Sequence, residues 1–258
     1  VAEFVSLAPH DLLLLIVAAL VAGMVDAIAG GGGLIALPAL LAAGLPPHLA
    51  LGTNKLAGTF GTLSASRAYV RKGLFKPRLW RTAAAATFLG AVAGTMAVWL
   101  VAAAFLAKLI PVLVVAVAIY VLLHGKPMLP SDAAEPRPGR HSSALVGLSL
   151  GFYDGFAGPG AGAFWTTAGL WLFKLDLVRA SGVARFMNLV SNAVSLATFS
   201  LLGLVDWSIG LAMGVSLMVG AHIGAHSAIR FGARFIRPVF VTIVLALAAK
   251  LIWQEWLR

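Results

Sequence analysis

The chain alternates long apolar runs with short polar turns. Segments 11–28, 82–104, 108–124, 208–229 and 235–253 are nearly free of charge, and each approaches the ~20 residues that a helix needs to cross a bilayer. Two more long helices are predicted at 49–69 and 180–203, but these carry polar interiors. The first has Thr53, Asn54, Lys55, Thr59, Thr62 and Ser64; the second has Ser181, Arg185, Asn188, Ser191, Asn192 and Ser195. Two apolar runs break off. Segment 11–28 ends at Gly30-Gly31-Gly32-Gly33, and segment 143–157 ends at Gly158-Pro159-Gly160. Short apolar pieces follow at 34–44 and 163–173, too short to span at about 1.5 Å per residue. Each reads as a half-helix returning from a break. The stretches Gly44–His48, with two prolines, and Lys174–Arg179 read as turns.

The pattern occurs twice. Asp26 precedes the first break and Asp154 the second, 128 positions on. Lys55 and Arg185 stand 130 apart, and Gly90-Ala91-Val92-Ala93-Gly94 returns as Gly220-Ala221-His222-Ile223-Gly224. A period of half the chain points to a two-fold transporter architecture rather than a solenoid. The predicted division is a first transmembrane repeat at 1–124, a hydrophilic linker at 125–141 and a second repeat at 142–258, in one integrated membrane domain.

Charge placement orients the two repeats. Arg67, Arg71, Lys72, Lys76, Arg78 and Arg81 crowd the loop after the first polar helix, which should therefore be cytoplasmic. The equivalent loop, Leu202–Trp207, has no Lys or Arg and should lie outside. Lys126, Arg137, Arg140, Lys174, Arg179, Arg230, Arg234 and Arg237 then fall inside; Lys108, Lys250 and Arg258 fall outside. The predicted fold is an all-α integral membrane protein of two inverted-topology repeats. Each is a broken, re-entrant helical hairpin (11–44 and 143–173) followed by three transmembrane helices. The alternative, with 11–28 spanning by itself, moves the N-terminus inside.

Composition agrees with a membrane domain. Of 258 residues, 60% are hydrophobic and 11% charged, and mean hydropathy is +0.96, more apolar surface than a soluble domain of this size buries. Most of the basic residues sit in loops on one predicted side, so the net charge of +10 does not imply a nucleic-acid partner. With no cysteine there is no disulfide framework, thiolate metal site or cysteine nucleophile. No basic n-region precedes the first apolar run, which reads as a structural helix. Apolar faces at 82–104 and 208–229 permit a homodimer.

Lys55 and Arg185 are the first candidates for chemistry. Each lies about 10–12 Å into its helix, and two buried cations at equivalent positions suit an anionic substrate better than snorkelling or a structural ion pair. The breaks come next: Gly30, Gly31, Gly32, Gly33, Gly158 and Gly160. Helices starting after such breaks present unpaired N–H groups and a positive dipole end to an anion. No Gly-Lys-Ser/Thr follows, which excludes a phosphate-binding P-loop. Gly90, Gly94, Gly220 and Gly224 fit close helix packing instead. Asp26 and Asp154 are assigned first to capping the half-helices, with pairing to Lys55 or Arg185, or proton coupling, as alternatives. Asn54, Asn188 and Asn192 are neutral donors for an oxyanion or interhelical links. His222 and His226 are one turn apart without a third ligand, so packing or proton handling by His222 is favoured over metal. Trp80, Trp99, Trp207, Trp253 and Trp256 read as interface anchors. No Ser-His-Asp set, carboxylate pair or nucleotide fingerprint is present, so neither an enzyme nor a cofactor is expected.

The run GMVDAIAGGGGLIALPALLAAGLPPHLALGTNKLAGTFGTLSA, with GFYDGFAGPGAGAFWTTAG and the later Ala180, Asn188 and Asn192, resembles the two repeat signatures of the TauE/SafE family of sulfite exporters and related permeases. The resemblance covers essentially the whole chain. Pro159 and Ala161 stand where the first loop has Gly31 and Gly33. It implies a multi-pass transporter of sulfite or short organosulfonates in a bacterial or archaeal inner membrane, working as an exporter. Carried over by motif, its site positions are the Asp26–Gly33 loop, Asn54-Lys55, the Asp154–Gly162 loop and Arg185. The expected mechanism is alternating access around a central cationic site. An anion channel, or an uptake permease for another small organic anion, is the alternative.

Overall fold

The computed structural model describes residues 8–124 and 138–231. The predicted helix 235–253, Trp253, Trp256 and linker residues 125–137 lie outside the described residues.

The described residues form an all-α structure: α1 (Pro9–Ala29), α2 (Gly33–Ala42), α3 (Pro47–Arg71), α4 (Arg81–Trp99), α5 (Ala103–His124), α6 (Arg140–Phe156), α7 (Ala161–Trp171), α8 (Leu177–Leu201) and α9 (Trp207–Phe231). A single 3-10 turn, Pro77–Trp80, leads into α4. Among the described residues four stretches are long and apolar enough to cross a membrane, 9–27, 77–99, 103–121 and 207–227, as expected of a multi-pass membrane protein.

Local sequence explains most boundaries. Pro sits at the start of α1 and α3, where its missing N–H breaks no helical bond. Asp176 caps α8 by accepting from the Val178 and Arg179 N–H groups at 3.0 and 2.9 Å. The polar stretch Lys174–Arg179 is therefore half turn and half helix, a correction that the Asp176 side chain accounts for. The boundary between α4 and α5 also moves. The turn falls at residues 100–102, where Leu100 and Val101 donate to Ala97 and Val98, and Lys108 lies inside α5 rather than at its first residue.

Length and polarity then determine what each helix packs against. α2 has ten residues and its stretch Leu34–Leu40 is entirely buried, so protein rather than lipid surrounds it. α3 and α8 have 25 residues each and turn their polar positions inward: Thr53, Asn54, Lys55 and Thr62 are buried on one, Arg185, Asn188, Ser191 and Ser195 on the other. Leucines such as Leu63 and Leu201 face out. This inside-out amphipathy suits a helix between lipid and a polar centre.

Close contacts give the helix directions. Ser216 Oγ donates to the Ile16 carbonyl at 2.7 Å, Gly220 lies against Leu20 and Gly224 against Met24, so α1 and α9 run the same way. Gly147 against Ala83, Gly151 against Thr87 and Gly155 against Ala91 set α6 along α4 in the same sense. Thr95 Oγ1 bonds Ser195 Oγ at 2.9 Å and Thr87 Oγ1 lies 3.8 Å from Met187 Sδ, so α8 joins them. Gly210 meets Leu56 and Gly214 meets Phe60, so α3 runs with α9. α3 and α8 run in opposite directions, with Gly58 facing Asn192 and Gly182 facing Tyr69. Hence α1, α3 and α9 point one way, and α4, α6 and α8 the other. Glycines form these seams because the absent side chain lets backbones touch.

Trp80 departs from its expected place. It is buried, with its ring edge-on to Phe173 at 4.9 Å, because the 3-10 turn tucks it beneath α7 and α8. Trp99 and Trp207 are exposed at helix ends.

Candidate functional site

The two breaks touch each other. Gly30 packs on Gly162, and Gly33 faces Pro159. Gly30 ends α1 with φ 83°, a conformation natural to glycine, and its N–H returns to the Asp26 carbonyl at 2.9 Å. A tyrosine braces each break. The Tyr69 hydroxyl donates to the Ala27 carbonyl at 3.1 Å, and the Tyr153 hydroxyl to the Pro159 carbonyl at 2.6 Å. Sequence reasoning missed both tyrosines, since a hydroxyl that bonds a backbone carbonyl leaves no spacing to read.

Two buried ion pairs join the halves crosswise. Lys55 Nζ of α3 lies 2.6 Å from Asp154 Oδ1 of α6, and it also donates to the Asp154 carbonyl. Arg185 Nη1 of α8 lies 2.7 Å from Asp26 Oδ2 of α1, and it also donates to the Asp26 carbonyl. The remaining carboxylate oxygens are taken as well: Asp26 Oδ1 accepts from the Gly32 N–H at 3.1 Å, and Asp154 Oδ2 from the Ser191 hydroxyl. Both cations are 1% exposed. A buried charge needs a partner and saturating hydrogen bonds, and here each cation finds both at a broken helix end. Sequence distance hid these acids, which stand 99 and 159 positions from their cations.

A small polar cavity of about 30 Å³ lies between the breaks and the polar helices, enough for roughly two waters. From the first break Asp26, Gly30, Gly32 and Gly33 line it; from the second, Asp154, Gly158, Gly160 and Gly162. Asn54 and Lys55 come from α3, Asn188 and Asn192 from α8. Gly58 and Thr62 also line it, although only Thr62 carried any polar signal in the sequence. Gly31 lies off the wall, and Arg185 stands just behind Gly30 and Gly162. With all four charges ionised the site sums to zero, so an incoming anion has to compete with Asp26 and Asp154 for the cations. Arg185 Nε and Nη2 and Asn188 Oδ1 are buried without a hydrogen-bond partner among the described residues.

His222 is outside this arrangement. It lies exposed on α9, its ring 4.3 Å from that of His226, and no group of three metal-ligating side chains occurs among the described residues.

The acids at the two breaks and the cations of the two polar helices all lie in the stretches that resemble the family's repeat signatures, and the comparison with known proteins bears out that family. Residues 15–251 match the family described as Sulfite exporter TauE/SafE. The chain belongs to the TauE/SafE family. It is 39% identical over 249 residues to a probable membrane transporter protein of a Sinorhizobium species, covering 96% of this chain and 94% of that one. It is 38% identical over 245 residues to one from Haemophilus influenzae, with 91% and 92% covered. It is 36% identical over 237 residues to the probable membrane transporter protein YfcA of Escherichia coli K12, with 92% and 88% covered. No solved structure matches the chain. As a TauE/SafE protein, this chain builds its candidate site from both sequence motifs at once, since each ion pair draws one residue from each.

Proposed function

We propose that the chain is a membrane carrier, not an enzyme, for a small sulfur oxyanion, sulfite or a short organosulfonate, and that it works as an exporter in a bacterial or archaeal inner membrane. The observation that carries this reading is the pair of crossed salt bridges around one polar cavity, with Lys55 and Arg185 each tied to the break of the other half. In such a centre an anion takes the place of Asp26 or Asp154 on a cation, so the internal ties change when one binds. The glycine N–H groups of the breaks, with Asn54, Asn188 and Asn192, supply neutral donors for the oxygens. Sulfur oxyanions are chosen over other small anions because of the family's description.

The proposed architecture is two inverted repeats, 1–124 and 142–258, joined by a cytoplasmic linker at 125–141. Helix directions support it: α1 and α3 point opposite to their counterparts α6 and α8, and α4 points opposite to α9. The run of α1 and α3 in one direction, with buried ten-residue α2 between them, supports a hairpin that turns back inside the protein. Alternating access between two such units exposes the cavity to one side at a time. At an inside-negative potential an anion leaves downhill by about 2.3 kcal/mol per charge per 100 mV, so export needs no coupling ion. The small cavity favours a carrier over a continuous hydrated channel.

The test is a binding screen of sulfite, sulfate, sulfoacetate and acetate on the purified protein, paired with sulfite efflux from proteoliposomes. Binding and efflux of sulfite or sulfoacetate that fall in Lys55→Ala and Arg185→Ala support the carrier; unchanged binding in both variants overturns the site.

A further inference from the structure

The two crossed pairs sit at equivalent positions but are bonded differently. Lys55 gives its single nitrogen to Asp154, to carbonyl and carboxylate together. In the other half one nitrogen of Arg185, Nη1, makes the same two contacts to Asp26. The guanidinium therefore has an edge left over. Nε and Nη2 form that edge, both are buried, and neither has a partner among the described residues. Arg185 as a whole is 1% exposed. Donors of a cation buried without acceptors are unfavourable, more so than neutral ones. Asp26 does not satisfy them: its Oδ2 faces Nη1, and its Oδ1 accepts from the Gly32 N–H.

What lies in front of this edge is backbone without side chains. Nη2 stands where a Cβ on Gly30 or Gly162 would be, and Asn188 Nδ2 approaches the same point over Gly162. Both glycines line the cavity. The two glycines stand in front of the edge, so an anion reaches it only when the two breaks part.

We propose that the Nε–Nη2 edge of Arg185, with the Asn188 carboxamide beside it, is the seat of the substrate's anionic head, while Lys55 is the tie that holds the second break in place. This rests on the carrier reading above. The edge offers two parallel N–H groups in one plane, which match two oxygens of one sulfonate, sulfite or carboxylate group. An ammonium has no such edge. A halide takes the charge attraction but not two parallel bonds, so the seat selects heads with paired oxygens over monatomic anions. Positions that the repeat makes equivalent thus have unequal roles.

Calorimetric binding of ethanesulfonate and bromide to the full chain in lipid nanodiscs tests this, using wild type, Arg185→Lys and Asn188→Asp. Arg185→Lys keeps a cation for Asp26 and removes the edge. It should weaken ethanesulfonate by about tenfold or more, the least that a lost charged hydrogen bond is worth, and leave bromide nearly unchanged, so the preference collapses. Asn188→Asp sets a carboxylate before the edge; it should abolish ethanesulfonate binding while the thermal midpoint holds or rises. An Arg185→Lys protein that keeps the wild-type preference overturns the seat, as does an Asn188→Asp protein that binds ethanesulfonate like wild type. If Arg185→Lys does not fold, the isosteric Asn188→Asp decides alone. Wild type that binds neither anion removes the carrier reading and the seat together, whereas wild-type binding with unchanged variants removes the seat only.

Discussion

Lys55 and Arg185 each hold the ninth position of a 25-residue helix, and each reaches across to the acid that precedes the other half's break. Neither half completes its own site. A cation in a membrane helix is tolerated only with a partner, and here the partner is always on the other repeat. The same two bonds neutralise the charges and hold the breaks beside the cavity.

Removing one member of a pair should therefore cost more than removing both. Lys55→Ala leaves Asp154, 3% exposed, with Ser191 as its only side-chain partner among the described residues. Stranding a buried charge in this way costs about 3–5 kcal/mol. Lys55→Ala/Asp154→Ala removes the charge as well and should recover at least half of the loss. Reversible unfolding of wild type, Lys55→Ala, Asp154→Ala and the double variant in detergent gives the cycle. A double variant as unstable as the single would mean that the pair contributes through packing, not charge.

The two kinds of left-handed glycine should separate in stability and binding. Gly44 has φ 91° with open space around it, so Gly44→Ala bears only backbone strain, about 1–2 kcal/mol. Gly30 has φ 83°, and a side chain there would also overlap Gly162, Ala163 and Arg185 Nη2. Gly30→Ala should cost more than Gly44→Ala and should also abolish anion binding, which Gly44→Ala leaves intact. Unfolding midpoints and a sulfite titration check the order, and equal effects would place Gly30 away from the binding step.

Much of this was legible in the residues. The breaks at Gly30 and Gly158 announced themselves because glycine runs and an acid are unfavourable in an apolar helix. The polar helices declared their inner faces through Asn54, Lys55, Arg185 and Asn188, which do reach one cavity or its wall. The crossed pairing was not legible: capping and pairing were both open to Asp26, and it does both, bonding the Gly32 N–H and Arg185 together. Which acid meets which cation depends on how the halves dock, and no local spacing carries that. Trp80 was misplaced for a related reason, since a tryptophan near a predicted helix end reads as an interface anchor until tertiary packing covers it.

Topology is tested without disturbing the site, because the chain has no cysteine of its own. Lys72 and Leu202 close α3 and α8, the two equivalent polar helices. In inverted repeats Lys72→Cys and Leu202→Cys lie on opposite faces of the membrane. A membrane-impermeant maleimide should label Lys72→Cys in inside-out vesicles and Leu202→Cys in right-side-out cells. Labelling of both from one side would require parallel repeats.

The last expectation concerns what moves. α9 belongs to the second half but lies along α1 and α3, while α4 of the first half lies along α6 and α8. The two halves are thus interleaved, and they meet where antiparallel α3 and α8 pass each other beside the cavity. A Cβ at Gly182 of α8 stands 3.4 Å from the Tyr69 Cβ of α3. That is close to the ~3.5–4.5 Å a disulfide requires. Tyr69→Cys/Gly182→Cys should therefore oxidise readily and pin one half to the other. Sulfite efflux from proteoliposomes should stop on oxidation and return with dithiothreitol. The reduced protein controls for loss of the Tyr69 bond to Ala27. Undiminished efflux from fully cross-linked protein would place the moving boundary elsewhere than between α3 and α8.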